Sequence, residues 1–276
     1  MDLLKRRLMM LPKEEPYIVF ADPVAEEFCA NAFGDGVGLT KRRARKVTTD
    51  QFKTALAGFS DRTLISSFDE FRYFLHVTEA GLWQNCSALA YITLPKSCSV
   101  IWNNSFNGCE SLERINLERI MMLRQQAFLG CSSLRIEINM PDLADASETV
   151  GLEYGTFQNS GITKVSNLGH VSNLGQYSFF QNCPNLTEVR VPKTVTGIGD
   201  LTFYQCPSLV TLILLPTNPP TLATTRAIGG ATGRKIYVPY SSDHSILSAY
   251  KSAQNWSNFE DDIFELNPDG TVPDEV

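Results

Sequence analysis

Histidine is scarce in this chain of 276 residues, and its scarcity removes much chemistry. The three histidines, His76, His170 and His244, share no spacing, and none lies in the H-E-x-x-H pattern that puts two imidazoles on one helix face for zinc. The seven cysteines include no C-x-x-C pair, so neither a zinc ribbon nor a thioredoxin-type site is expected. There is no G-x-S-x-G elbow and no Walker loop, and Gly229, Gly230 and Gly233 in AIGGATGRK read as a glycine-rich turn. No window approaches the ~18 apolar residues of a membrane span, so no transmembrane segment is expected. At the N-terminus, MDLLKRRLMMLPKEEP, the cations Lys5, Arg6 and Arg7 interrupt the apolar run. A secretory leader needs about 7–15 unbroken apolar residues there, so export by the general secretory route is not expected. These absences predict no enzyme, no cofactor and no bound metal. A formal charge of -6 also disfavours nucleic acid as the main partner.

What the chain does contain is a repeat. Aligned on cysteine, WQNCSALAYITLP starts at Trp83, FNGCESLERINLE at Phe106 and FLGCSSLRIEINMP at Phe128. FQNSGITKVSN follows at Phe157, FQNCPNLTEVRVP at Phe180 and FYQCPSLVTLILLP at Phe203. An aromatic residue stands three positions before the Cys, a Leu or Ile about three after it, and then an alternating apolar pair such as Ile92/Leu94, Ile115/Leu117 or Val189/Val191. Cys86, Cys109 and Cys131 are 23 and 22 residues apart, Ser160 replaces the fourth Cys after 29, and Cys183 and Cys206 follow at steps of 23. The long step holds an acidic insertion, DLADASETV, expected to bulge from a coil edge.

One such coil cannot bury its own apolar face, but stacked coils share a continuous core. The Leu-x-x-Ile-x-Leu segment alternates with period two, as a short strand does. Neighbouring coils are therefore expected to pair their strands in parallel, about 4.8 Å apart, with Phe and Cys ladders inside. Pro95, Pro141, Pro192 and Pro216 follow the strands and end them, because proline has no N–H to give. The cysteines then read as small buried packing residues. Ser160 on the same position fits a demand for small size, and Cys29 and Cys98 lie off the register with no assigned role.

The pattern aromatic-x-G/N-C-x-S-L-x-x-I-x-L-P resembles the BspA-type leucine-rich repeats of Bacteroidetes and their phages, over about residues 61–217. KIYVPYSSDHSILSAYKSAQNW is similar to the strand and helix that close such proteins, and VFADPVAEEFCANAFGDGVGLTKRRARKVT resembles the segment before their repeats. The resemblance implies a repeat solenoid: short parallel β-strands stacked in right-handed coils, with a helical N-terminal segment and an α/β C-terminal cap. It implies a protein that binds or builds, on a virion (as a phage tail or other adhesion-type component) or on a cell surface, with an intracellular or host-directed scaffold as the alternative. A cytoplasmic location stays open because no signal peptide is read, as does assembly into a homo-oligomer or a virion. The expected division is 1–50 helical segment, 51–81 N-terminal cap, 82–217 six repeats, 218–266 C-terminal cap and 267–276 mobile acidic tail.

In that family the N-terminal segment often carries an EF-hand-like loop. Here Asn31, Phe33, Asp35, Gly36 and Arg42 would occupy positions 1, 3, 5, 6 and 12, and a cation stands where the bidentate Glu belongs. The residues read instead as a glycine-rich turn between helices. KRRARK from Lys41 to Lys46 reads as the exposed face of a second short helix, paired to the acidic repeats.

The strand face is the better candidate site, since solenoids bind through extended faces. Its outward pairs read Tyr91/Thr93, Arg114/Asn116, Glu137/Asn139, Lys164/Ser166, Glu188/Arg190 and Thr211/Ile213. Tyr91, Arg114, Asn116, Glu137, Lys164, Glu188 and Arg190 are the candidate contacts to a protein or surface-glycan ligand. Ile246, Leu247, Tyr250 and Trp256 are expected on one face of a closing helix over Ser245 to Trp256.

Overall fold

The computed structural model describes residues 15–140, 153–169, 171–174 and 179–274. The leader, the acidic insertion and His170 lie outside the described residues. Among the described residues three α-helices come first: α1 (Pro23–Phe33), the single turn α2 (Lys41–Ala44) and α3 (Thr49–Ala57). Strands follow as β1 (Ser67–Phe68), β2 (Glu79–Ala80), β3 (Tyr91–Ile92), β4 (Val100–Ile101), β5 (Arg114–Ile115), β6 (Met122–Leu123) and β7 (Glu137–Met140). Then come β8 (Lys164–Leu168), β9 (Glu188–Val191), β10 (Gly197–Ile198), β11 (Thr211–Leu214), β12 (Thr221–Leu222) and β13 (Lys235–Val238). Helix α4 (Ser245–Ser252) and strand β14 (Ile263–Glu265) close the fold. All named strand pairs are parallel, the arrangement of a repeat solenoid.

Two sides of each coil hold the core. On one, Phe106, Phe128, Phe157, Phe180 and Phe203 form a continuous stack of buried rings, with centroids 5.3–5.7 Å apart and planes within 7° of parallel. Trp83, at the head of this column, instead joins an aromatic cluster with Phe52, Phe68 and Phe71. The cysteines are free and buried, and they do more than fill space. Four of them donate through Sγ to the carbonyl of the aromatic residue one coil earlier: Cys109 to Trp83, Cys131 to Phe106 and Cys183 to Phe157 at 3.0 Å, and Cys206 to Phe180 at 2.9 Å. The position asks for a small residue, and Ser160 fits it, with its Oγ 3.6 Å from the Cys183 Sγ.

The residue just before the cysteine column has a left-handed backbone in every coil: Asn85, Gly108, Gly130, Asn159, Asn182 and Gln205 have φ between 56° and 74°. Glycine, and asparagine among side-chain-bearing residues, adopt that conformation most readily, which explains the G/N of the repeat. Asn182 Nδ2 also donates to Asn159 Oδ1 at 2.7 Å, so the column carries its own side-chain bond.

The other side is the strand ladder, and it is not continuous. β1, β3 and β5 form one sheet, and β7, β8, β9, β11, β13 and β14 form another. The expected pairing of every neighbouring coil fails between β5 and β7. In most coils the apolar residues fall three, six and eight positions after the cysteine, as Leu112, Ile115 and Leu117 do after Cys109. After Cys131 they are Leu134, Ile138 and Met140, so one extra residue precedes the strand and shifts it out of register. The next coil compensates: it is short before its strand, and β8 bulges between the pairs Ile138–Val165 and Asn139–Asn167. Arg135 clamps the distortion. Its Nη1 donates to the carbonyls of Ser132 at 2.8 Å, Leu134 at 3.3 Å and Gly161 at 3.2 Å. Gly161 makes room for it, since a Cβ there would lie 1.9 Å from that nitrogen and 2.3 Å from the Ser132 oxygen.

A second short column, β2–β4–β6 and β10–β12, lines another side of the coil and was not anticipated from the repeat pattern. The N-terminal helices bring Phe28, Phe33 and Phe52 together, and Phe33 and Phe52 pack on Phe74. Buried Asp22 ties them down. One carboxylate oxygen accepts from Val24 and Ala25 at 2.8 and 2.9 Å as the α1 N-cap, and the other accepts from the Ser66 amide and hydroxyl at 2.7 and 2.6 Å. Burial raises its pKa, but these bonds outweigh that and hold it below the usual value.

At the far end the closing helix is shorter than expected. It stops at Ser252, and Asn255, with φ of 67°, turns the chain so that Trp256 enters from a separate helical turn. Tyr250 and Trp256 are buried, donating to the carbonyls of Pro216 and Pro220 at 2.8 and 2.7 Å. The acidic tail read as mobile has a turn of its own, in which Asn267 N donates to Thr271 O at 2.8 Å, and Val272 packs beside Ile213, Tyr237 and Leu266.

Candidate functional site

The strand ladder sets the first outward column. Tyr91 is in register with Arg114 across β3 and β5, and Glu137, Lys164, Glu188, Thr211 and Lys235 are in register across β7 to β13. Two groups form on it. In the first, the Arg114 guanidinium lies 4.5 Å from the Tyr91 ring centroid, and the Tyr91 hydroxyl donates to Glu113 at 2.9 Å. That bond and the charge of Glu113 raise the Tyr91 pKa. Asn116 is committed to the neighbouring coil, because its amide accepts from Leu94 N at 2.7 Å and donates to Leu94 O at 3.3 Å. Thr93 donates to Asp69 at 2.6 Å. In the second group, Lys164 pairs with Glu188 at 3.0 Å. Arg190 is half-buried in the second column, and Glu137 stands exposed between the groups.

Two of the expected outward residues are not outward. Ile213 is buried under Tyr237 and Leu266, so the C-terminal segment covers that part of the face. Ser166 is displaced by the bulge, and Asn167 takes its place opposite Asn139.

The break between β5 and β7 opens two hollows on this face. One, of about 550 Å³, is lined by Ile115, Leu117, Glu118, Ile136, Glu137, Asn139, Met140 and Asn167. Its neighbour, of about 360 Å³, is lined by Asp69, Tyr91, Ile92, Thr93, Arg114, Ile115, Asn116, Glu118 and Ile136. Asp69, Glu118 and Ile136 escape a reading that looks only at alternating strand positions. The signal for Ile136 was present in the extra residue of LRIEIN; nothing in the pattern marked Asp69 or Glu118.

A second polar cluster follows the β2–β4–β6 column. Trp102 lies between Lys53 and Arg124, 5.3 and 5.2 Å from its ring centroid, and its Nε1 donates to Glu79 at 2.6 Å. Glu79 also takes Lys53 at 2.7 Å, which holds its carboxyl below the usual range, and Arg124 pairs with Glu153 at 2.7 Å.

The KRRARK segment pairs locally rather than with the repeats: Arg43 lies 3.5 Å from Asp35, Arg42 lies 3.9 Å from Glu15, and Lys41 sits over the Tyr73 ring. Asp35 accepts from Val37 and Gly38 at 3.1 Å and from the Tyr17 hydroxyl at 2.9 Å, while Phe33 packs into the aromatic cluster. Among the described residues no three His, Cys, Asp or Glu side chains are grouped to hold a metal, and no helix is long and apolar enough to cross a membrane.

Comparison with known proteins gives one family. The model for the BspA type leucine rich repeat region, in six copies, matches residues 74–179 and 150–222. No curated protein matches the chain. Among solved structures, a leucine-rich repeat protein of T. pallidum is 22% identical with a TM-score of 0.33, over 59% of this chain and 66% of that one. A leucine-rich repeat protein of Bacteroides ovatus is 16% identical with a TM-score of 0.23, over 73% of this chain and 75% of that one.

Proposed function

This chain belongs to the BspA-type leucine-rich repeat family, and from that membership we propose that it is a non-enzymatic binding or structural solenoid, carried on a virion or a cell surface. Its partner is a protein or a surface glycan, met by the strand face through Tyr91, Arg114, Glu137, Lys164, Glu188 and Arg190, with Asn116 holding the frame. The observation that carries this is the register itself. It sets polar and charged side chains side by side across successive coils on one face, the form in which solenoids present an extended binding surface. The division into helical segment, caps, six repeats and tail given above belongs to the same proposal.

Two measurements test it. Mass spectrometry of purified phage particles, and protease shaving of intact cells, are expected to find the chain in one of those fractions. Recovery only from the cytosol sinks the surface assignment and favours the intracellular scaffold. Lys164→Glu combined with Arg190→Glu is expected to abolish capture of the surface fraction that retains the wild-type protein; unchanged capture refutes the strand face.

A further inference from the structure

Resting on that reading of the strand face, we infer that the break between β5 and β7 is the seat of an extended, basic segment of a protein partner, with an apolar side chain held against Ile136. The two hollows meet at Ile115, Glu118 and Ile136, and together they run from Asp69 ahead of the repeats to Asn167 in the fourth coil. That is about four strand spacings, or ~19 Å, the length of roughly six extended residues. The apolar residues that line the hollows are Ile92, Ile115, Leu117, Ile136 and Met140, and all but Ile136 are buried. Ile136, the extra residue, is half-buried between the hollows, and no strand ladder crosses from β5 to β7. Elsewhere on the six-stranded sheet, paired strands occupy the equivalent space. An extended segment laid across these coils passes over the half-buried Ile136 where the two hollows meet.

The charge selects the occupant. Among the residues lining the hollows the carboxylates are Asp69, Glu118 and Glu137, and the one cation is Arg114. Arg114 is held over Tyr91, and Asp69 is bonded to Thr93. Glu118 and Glu137 are exposed, line the larger hollow together with Ile136, and have no ion pair among the described residues. Lysine or arginine flanking an apolar residue satisfies both carboxylates and the floor at once, whereas an acidic segment meets like charge.

Fluorescence anisotropy with labelled six-residue peptides tests this in about 0.15 M salt, where unspecific charge attraction is screened beyond ~8 Å. The peptides alternate lysine with leucine, lysine with serine, or glutamate with leucine. The lysine–leucine peptide is expected to bind at least about tenfold tighter than either control, since each loses one of the two attractions. Glu118→Gln with Glu137→Gln, both at exposed sites, is expected to weaken it about tenfold while the circular dichroism and melting of the protein stay unchanged. Deleting Ile136, which restores the common spacing, is expected to do the same. No binding of the lysine–leucine peptide, equal binding of the three peptides, or indifference to the double Gln variant overturns the proposal. If Lys164→Ala with Arg190→Ala removes binding instead, the break is refuted while the strand-face reading stands; if no strand-face variant alters it, both fall.

Discussion

The fifth and sixth coils are regular, and the third and fourth are not, yet the aromatic stack runs through both unchanged. In the regular pair, β9 and β11 match over four residues, the Phe180 and Phe203 rings lie 5.5 Å apart, and Cys206 bonds the Phe180 carbonyl. In the irregular pair the strand gains a residue, the next strand bulges, a Ser replaces the Cys and an insertion intervenes. The Phe128 and Phe157 rings nevertheless remain 5.3 Å apart and within 1° of parallel. The aromatic side is a spine that holds each coil's position, and the strand side absorbs what the spine does not allow. Both regions are close-packed, but only the strand side can release an error into solvent.

The sharpest way to break this comparison is to cut the spine. Phe157→Ala and Phe180→Ala each remove a fully buried ring and are expected to cost about 3–5 kcal/mol, equally in both regions. Because stability in a solenoid passes between neighbouring coils, a loss this large should also broaden the urea transition as the halves uncouple. Ile136→Ala, on the strand side, is expected to cost under about 1 kcal/mol. Equal losses for Phe157→Ala and Ile136→Ala in urea titrations would end the distinction between spine and strand face.

Next in size is the clamp across the irregular coils. Gly161→Ala sets a methyl group against Arg135 Nη1 and two backbone carbonyls, which cannot move as a side chain does. The expected cost is about 3 kcal/mol. Arg135→Ala leaves those carbonyls without a cationic donor and should cost about 1–2 kcal/mol. The order of the two in thermal melts separates backbone crowding from loss of the bonds.

Smaller again is the cysteine column. Cys131→Ala removes a methylene-sized group and the donor to Phe106 O, and is expected to cost about 1–2 kcal/mol. Cys131→Ser keeps a donor and should cost less, as the natural Ser160 indicates. Hydrogen bonding to Cys183 holds the Cys206 thiol below its usual value, but burial pushes Cys86 up to about 11 and Cys98 up to about 12. At Cys86 and Cys98 folding therefore favours the protonated thiol. The stability this contributes is full below the unfolded thiol pKa of about 8.5 and is lost as pH rises toward the folded values. At pH 8 a thiol reagent should label the native column slowly and the urea-unfolded chain fast; rapid native labelling refutes the packing.

Most of the spine was legible in the sequence. Six aromatic residues at one register position, with five Cys and a Ser beside them, leave one arrangement in which coils share a core. The donor role of the cysteines was not legible, because a hydrogen bond to the preceding coil has no signature beyond small size. The strand face was legible only where spacing was regular. One residue added before Ile138 moved the ladder, and reading alternate positions through it put Ser166 where Asn167 stands. Ile213 was beyond the reach of periodicity altogether, since its cover comes from Leu266 and Val272 more than fifty residues later.

The smallest effect bears on why the spine repeats so faithfully. Five of the six left-handed residues before the cysteine column are Asn or Gly, and the sixth, Gln205, has φ of 56°. A residue with Cβ and a long side chain pays a steric penalty of about 1–2 kcal/mol in that region, which asparagine partly escapes by bonding locally. Gln205→Asn should therefore raise stability by about 0.5 kcal/mol, and it places an amide next to Asn182, extending the bond that Asn182 makes to Asn159. Asn182→Gln is the converse and should cost more than Gln205→Asn gains, because it also breaks that bond. If Gln205→Asn lowers the melting temperature, side-chain contacts of Gln205 outweigh backbone conformation, and the G/N position is set by something other than φ. If it raises it, the sixth coil falls short of the backbone demand at this position, and the fifth coil shows what the optimum is.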